Sequence, residues 1–263
     1  MSQALKAAGK DLVEGVRLAP LWGALGWEQT VGRFRRTLLG PFWLSTTLLT
    51  MGFALSFVFG AMMGTPWREN FPYVLAGILA WGLVGTGIAE GANMFVNGAG
   101  IMQVQRLPLS FYAWLAIFRV LVNFLAQLLT YWAVLLVLGL AAIPSWTLIL
   151  ALPLTFIATL VAGFVVAIPS TRFRDIGLGI GFVIQMLFFL TPIFWHPGKM
   201  HGIRGMVVEY NPFTHLVALI REPLLGHAPR LTDWTWGVGW TGGAFVVTYV
   251  LIAAFRKRVI FWL

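Results

Sequence analysis

Cysteine is absent from these 263 residues, which excludes disulfide staples and thiolate metal sites. Charge is nearly as scarce: Asp, Glu, Lys and Arg make up 10% of the chain, against 59% hydrophobic residues. No G-x-x-x-x-G-K-[ST] occurs, so the chain does not hold ATP through a P-loop. The Gly-Lys pairs at 9–10 and 198–199 lack the upstream glycine and the following Ser or Thr. Neither H-E-x-x-H nor G-x-S-x-G is found, and His196, His201, His215 and His227 fall at spacings without a metal pattern. Neither catalytic residues nor a metal site is therefore expected. A membrane enzyme acting on lipids would need acids, histidines or a Ser/Lys pair converging at one leaflet, and the sequence offers none.

What is present is apolar length. A mean hydropathy of +0.84 exceeds what a soluble domain needs and marks an all-α membrane protein. Charged residues are missing from 37–67, 70–89, 120–171, 176–198 and 234–255. The third gap is too long for one span and is broken at Pro144, while 107–118 joins its start across Arg119. Six transmembrane helices follow, near 40–63, 72–96, 111–140, 147–168, 176–195 and 235–255. The first apolar run starts near Leu38, too late and too long for a cleaved signal peptide.

An even number of spans places both termini on one side. Taking that side as cytoplasmic puts Arg33, Arg35, Arg36, Arg106, Arg172, Arg174, Arg256, Lys257 and Arg258 inside. The short outer loops keep only Arg68, and the outer hairpin keeps Lys199, Arg204, Arg221 and Arg230. Positive-inside bias thus explains most of the +9 formal charge, and no nucleic-acid partner is read from it.

Two parts are expected: a cytoplasmic amphipathic segment, 1–36, divided by Pro20, and a transmembrane domain, 37–263. In the first, Trp22, Trp27, Arg33, Arg35 and Arg36 suit a membrane interface or a docked partner. The second span is rich in glycine (Gly77, Gly82, Gly85, Gly87, Gly91), which favours close helix packing or a bend. Glu90 is the one acid inside a predicted span and Arg119 the one base inside the next. Counted from their shared loop they reach similar depth and should form a buried ion pair. Arg119, Asn123 and Gln127 continue as a polar stripe, either interhelical glue or the wall of a hydrophilic path.

The inner loop NGAGIMQVQRLPLS can hold a short surface helix from Ile101 to Leu107, and PSTRFRD at 169–175 forms a second inner loop. Between spans five and six lies an outer hairpin, 196–230. Its segment YNPFTHLVALIREPLLG is too short to span, with Asn211 as N-cap and Pro212 at the first helical position. Phe213, Leu216, Val217, Ile220 and Leu224 share one apolar face, with Thr214, Ala218, Arg221 and Glu222 on the other. Short re-entrant helices fit this pattern, the alternative being a helix flat on the surface.

RFRRTLLGPFW before span one, GIMQVQRLPLS, TRFRD, LTPIFW closing span five and YNPFTHLVALIREPLLG occur in an order that resembles one family. It is the transmembrane permease subunit of bacterial polysaccharide ABC exporters, the O-antigen, capsule and teichoic-acid branch of the second exporter type. The resemblance implies a homodimer in the bacterial cytoplasmic membrane, driven by two copies of a separate ATPase subunit that carries ATP and Mg. No cofactor is expected on this chain. It implies ATPase coupling by Ile101, Gln103, Gln105, Arg106 and Leu107, and by Arg172, Arg174 and Asp175. It also implies a capping outer hairpin around Asn211, Phe213, Arg221 and Glu222, and a channel chiefly from spans one, two and five. Aromatic faces suit sugar rings, making Trp43, Phe53, Phe57, Trp81, Phe188, Phe189, Phe194 and Tyr210 channel-lining candidates. A drug, lipid or haem-type exporter of the same architecture is the alternative reading, and a membrane scaffold a more distant one.

Overall fold

A computed structural model describes residues 2–34, 37, 42–199 and 202–263, and the regular structure among these is all helical, without a strand. Five helices are long and apolar enough to cross a membrane. They are α3 (Phe42–Met63), α4 (Trp67–Ala92), α7 (Leu109–Val137), α8 (Leu148–Arg172) and α12 (Leu231–Phe255).

The fifth expected span is α9, which covers only Arg174–Leu190. At 1.5 Å per residue its 17 residues reach about 25 Å, short of a hydrocarbon core of about 30 Å. It stops before the expected 195 because Thr191 precedes Pro192, and the proline ring drives Thr191 into the extended conformation (φ −87°, ψ 135°). The turn that follows is buried, including Thr191, Ile193 and Phe194.

At the amino end, α1 (Ser2–Arg17) is amphipathic, and α2 (Ala19–Gly32) begins with Pro20 in its first turn, where a missing N–H costs nothing. Both pack on α7, and α1 also reaches α12. Between α4 and α7 lie α5 (Met94–Asn97) and α6 (Ala99–Val104). The helix expected at 101–107 is therefore shifted towards its glycines. It ends at Val104 because Gln105 is extended (φ −127°, ψ 132°) and Leu107 must precede Pro108. Beyond α9, a 3₁₀ turn at Pro197–Lys199 leads to α10 (Ile203–Glu209) and α11 (Pro212–Leu224).

The centre of the bundle is α4, whose side chains are buried along most of its length against α3, α7, α8, α9 and α11. Its glycines let backbones meet: a Cβ on Gly91 would lie 2.5 Å from Gly163 Cα on α8, so only glycine fits at that crossing. Nearer its outer end Gly77 faces the carbonyl of Ile193, where a Cβ would come within 2.7 Å. Thus α4 carries the outer hairpin at one end and, through α5 and α6, the inner loop at the other.

Candidate functional site

Three zones along α4 carry the polar chemistry. At the inner end, Gln103, Gln105 and Arg106 are exposed while Ile101 and Leu107 are half-buried against the bundle, so the loop presents polar groups on an apolar footing. Arg172, Arg174 and Asp175 are likewise exposed at the junction of α8 and α9, with the Arg172 guanidinium over the rings of Phe173 and Trp262 at 5.2 and 5.5 Å. A cavity of about 730 Å³ opens beside the first loop, walled by Glu14, Met102, Arg106, Leu107, Lys257 and Phe261. On α2, Trp22 is stacked on Trp114 at 5.6 Å and donates its indole N–H to Gly15 O at 3.1 Å. It is thus a packing residue as much as an interfacial one, whereas Trp27 and Arg33 are exposed. Arg35 and Arg36 lie outside the described residues.

In the second zone Arg119 and Glu90 meet: Arg119 Nη2 is 2.9 Å from Glu90 Oε2, with side-chain exposures of 11% and 27%. The other terminal nitrogen, Nη1, donates to Gln29 Oε1 on α2 at 2.7 Å. Sequence reasoning missed Gln29, because nothing in a short helix of mixed polarity says which residue turns inward. Asn123 and Gln127 continue the stripe into the bundle, half-buried, and Gln127 Oε1 lies against Gly82 on α4.

The third zone is the outer hairpin. Asn211 Oδ1 accepts from Phe213 N at 3.0 Å and its Nδ2 donates to Thr191 Oγ1 at 3.1 Å, so one side chain caps α11 and ties it to the end of α9. Its apolar face packs on α4, α8 and α12, and Ala218 and Arg221 of the opposite face are buried too, with Thr214 and Glu222 half-buried. Arg221 Nη1 donates to Pro192 O at 2.6 Å, its Nε donates to Glu222 Oε1 at 3.0 Å, and its guanidinium sits 4.2 Å from the centre of the Tyr73 ring. The Tyr73 hydroxyl in turn donates to Pro192 O and Trp195 O, both at 3.3 Å.

On the same helix, His215 Nδ1 is 2.7 Å from Asp233 Oδ1 on α12, and His215 Nε2 is 2.7 Å from Glu209 O. Burial pushes this imidazole down, but the bonds to Asp233 and the Glu209 carbonyl and the nearby negative charge outweigh it, leaving His215 raised above its usual value. The imidazole of His196, stacked on Tyr73 at 4.0 Å, is lowered by burial and by the charge of Arg221. A cavity of about 390 Å³ lies under these groups, lined by Thr214, His215, Arg221, Glu222, Arg230 and Asp233.

The aromatic candidates divide into two sets. Trp43, Phe53 and Phe57 are exposed along one face of α3, with Phe53 and Phe57 stacked at 6.2 Å and Thr46 and Thr50 on the same stripe. Phe189 is exposed on α9 beside Phe182 and Met186, and Tyr210 is exposed in the hairpin. Trp81, Phe188 and Phe194, by contrast, are buried packing residues: Trp81 meets Phe188 at 5.8 Å, and Phe194 meets Phe59 at 4.5 Å. Their rings are taken up in packing between helices, whereas α3 and α9 each carry a run of exposed aromatic rings.

Two comparisons bear on this arrangement. The model of the ABC-2 type transporter family matches residues 20–225, from the start of α2 to the end of α11. The chain is also similar to the O-antigen export system permease protein RfbA of Myxococcus xanthus, at 26% identity over 213 residues covering 76% of this chain and 78% of that one.

Proposed function

Because this chain belongs to the ABC-2 type transporter family, we propose that it is the channel-forming permease subunit of an ATP-driven exporter of polysaccharide or lipid-linked glycan. The family makes it a multi-pass membrane transport subunit rather than an enzyme, and implies a separate ATP-binding subunit. ATP and Mg²⁺ belong to that partner. The cargo assignment is supported by the likeness to an O-antigen export permease over three quarters of the chain, and that observation carries the reading.

Six membrane crossings with both ends cytoplasmic agree with the packing of the ends. The Tyr249 hydroxyl near the end of α12 donates to Leu5 O on α1 at 2.7 Å, so the first and last helices meet on one side. An even count needs α9 as a crossing completed by its buried turn. Two copies would join so that their exposed α3 and α9 faces enclose the path. Trp43, Phe53, Phe57 and Phe189 then give successive sugar rings shallow, similar footholds, and Thr46 and Thr50 supply hydroxyls between them.

The ATPase subunits dock on Ile101, Gln103, Gln105, Arg106 and Leu107, with Arg172, Arg174 and Asp175 as a smaller contact and α2 alongside. The outer hairpin, pinned by Asn211 and Arg221 to the end of α9, caps the exit and moves with that helix. In this reading a push at the inner loop travels along α4 while α9 and its cap follow.

The test is export itself. Cells depleted of this chain should lose surface polymer and accumulate lipid-linked glycan on the inner leaflet. Proteoliposomes holding the chain and its ATPase should move glycan only with ATP. Unchanged surface polymer on depletion, or ATP hydrolysis by the purified chain alone, would refute the reading.

A further inference from the structure

The inner end holds a buried acid that the transport reading leaves unused. Asp11 on α1 is fully buried. Its two oxygens accept from the first backbone N–H groups of α7, Leu109 N to Oδ2 and Ser110 N to Oδ1, each at 3.0 Å. Ser110 Oγ donates back to Asp11 O at 2.6 Å, and Arg256 Nε at the end of α12 lies 3.1 Å from Asp11 Oδ2. The opening N–H groups of a helix have no partner within it, and the residue before α7 is Pro108, whose side chain cannot cap. A carboxylate from a different helix fills the place, and its charge also complements the helix dipole. One turn further along α1 is Gly15, where a Cβ would fall on Ser110 Oγ, so the two helices are in contact there.

We infer that Asp11 is a positioning residue that clamps α1, the start of α7 and the end of α12 into one block immediately behind the inner loop at 98–108. With the clamp closed, displacement of the loop moves three helices together. With it open, the loop flexes at Pro108 and the displacement is lost locally. The clamp itself is a property of this chain alone; only its role in transport rests on the exporter reading.

The chain has no cysteine, so introduced pairs can be spin-labelled without background. Lys6→Cys on α1 and Gly100→Cys on α6 are exposed positions, and Gly100 has open space for a side chain. The pair should give one narrow distance distribution, which Asp11→Ala broadens. Hydrogen exchange of the peptide over 107–112 should rise by roughly 3- to 30-fold, the range that loss of a helix cap implies. Arg256→Gln leaves both N–H bonds in place, so it should free a Lys257→Cys label in the turn just beyond α12 while the Lys6–Gly100 distance holds. An unchanged distribution and unchanged exchange in folded Asp11→Ala protein would overturn the clamp. If Asp11→Ala does not fold, the Arg256→Gln arm decides: a Lys257 label that stays put overturns it. In the reconstituted exporter, the expected result for Asp11→Ala is ATP hydrolysis retained with glycan export lost. Export kept at the native ratio to ATP would remove the transport role and leave the exporter reading intact.

Discussion

Replacing Glu90 by Gln should damage this protein more than replacing Arg119 by Gln, and removing both should cost less than the two losses summed. At 2.9 Å the gross attraction between the charges is about 6 kcal/mol for an effective dielectric near 20, most of it offset by taking both groups out of water. What the single variants expose is therefore the orphan left behind. Glu90→Gln strands a guanidinium that keeps its charge at any accessible pH, with only 11% of its side chain in contact with solvent. Arg119 Nε already lacks a hydrogen-bond partner, and Gln29 supplies a neutral acceptor alone. A loss of about 3 kcal/mol is expected, at the lower end for a broken buried pair. Arg119→Gln leaves a carboxylate that is a quarter exposed and can be hydrated, so about 2 kcal/mol suffices. The double variant leaves no uncompensated charge and should lose about 2 kcal/mol, giving a coupling of about 3 kcal/mol. Unfolding of the three variants in mixed micelles, read by tryptophan fluorescence and repeated with Gln29→Leu, measures the cycle. Additive losses, or Arg119→Gln as the worse single change, would refute the reasoning.

Four further outcomes follow from the described geometry. His215 is raised above 6.5, so the stability its charged form contributes is full below about 6.5 and fades as pH rises through the raised value. Exchange in α11, corrected for its intrinsic rise with pH, should therefore quicken as pH climbs above 6.5, and His215→Gln should flatten the change. Gly91→Ala puts a methyl 2.5 Å from Gly163 Cα, so α4 and α8 must part, at a cost of about 1–3 kcal/mol in the same unfolding assay. Asn211→Ala removes the cap of α11 and the bond to Thr191, which should lower stability by about 1–2 kcal/mol and speed exchange in the hairpin first. Phe53→Ala with Phe57→Ala touches exposed rings, so export should slow while unfolding is almost unchanged.

Depth in a membrane is nearly linear in residue number, which is why Glu90 and Arg119 could be matched by counting outward from their shared loop. Asn211 could be named because its capping pattern is local. Asp11 and Gln29 gave no such signal: their partners are 98 and 90 residues away, and an amphipathic helix of polar and small residues does not say which polar group points inward. Aromatic residues posed a different difficulty. Phe57 and Phe194 are alike in the sequence, and only the tertiary packing, which sets Phe194 against Phe59, separates an outward ring from a packing ring. The shorter α9 and the displaced α6 were both set by residues preceding a proline, a constraint visible in the sequence but outweighed there by the length of the apolar run.

The glycine-to-glycine crossing of α4 and α8 has a mechanical corollary. With no side chain between the two backbones, the pair cannot be squeezed closer and cannot separate without opening a void in the middle of the bundle. Tilting about Gly91 and Gly163 is the inexpensive motion left, so the crossing works as a fulcrum near the end of α4 that leads into α5. A lever pivoted that far from its other end trades a small stroke below for a wider swing above.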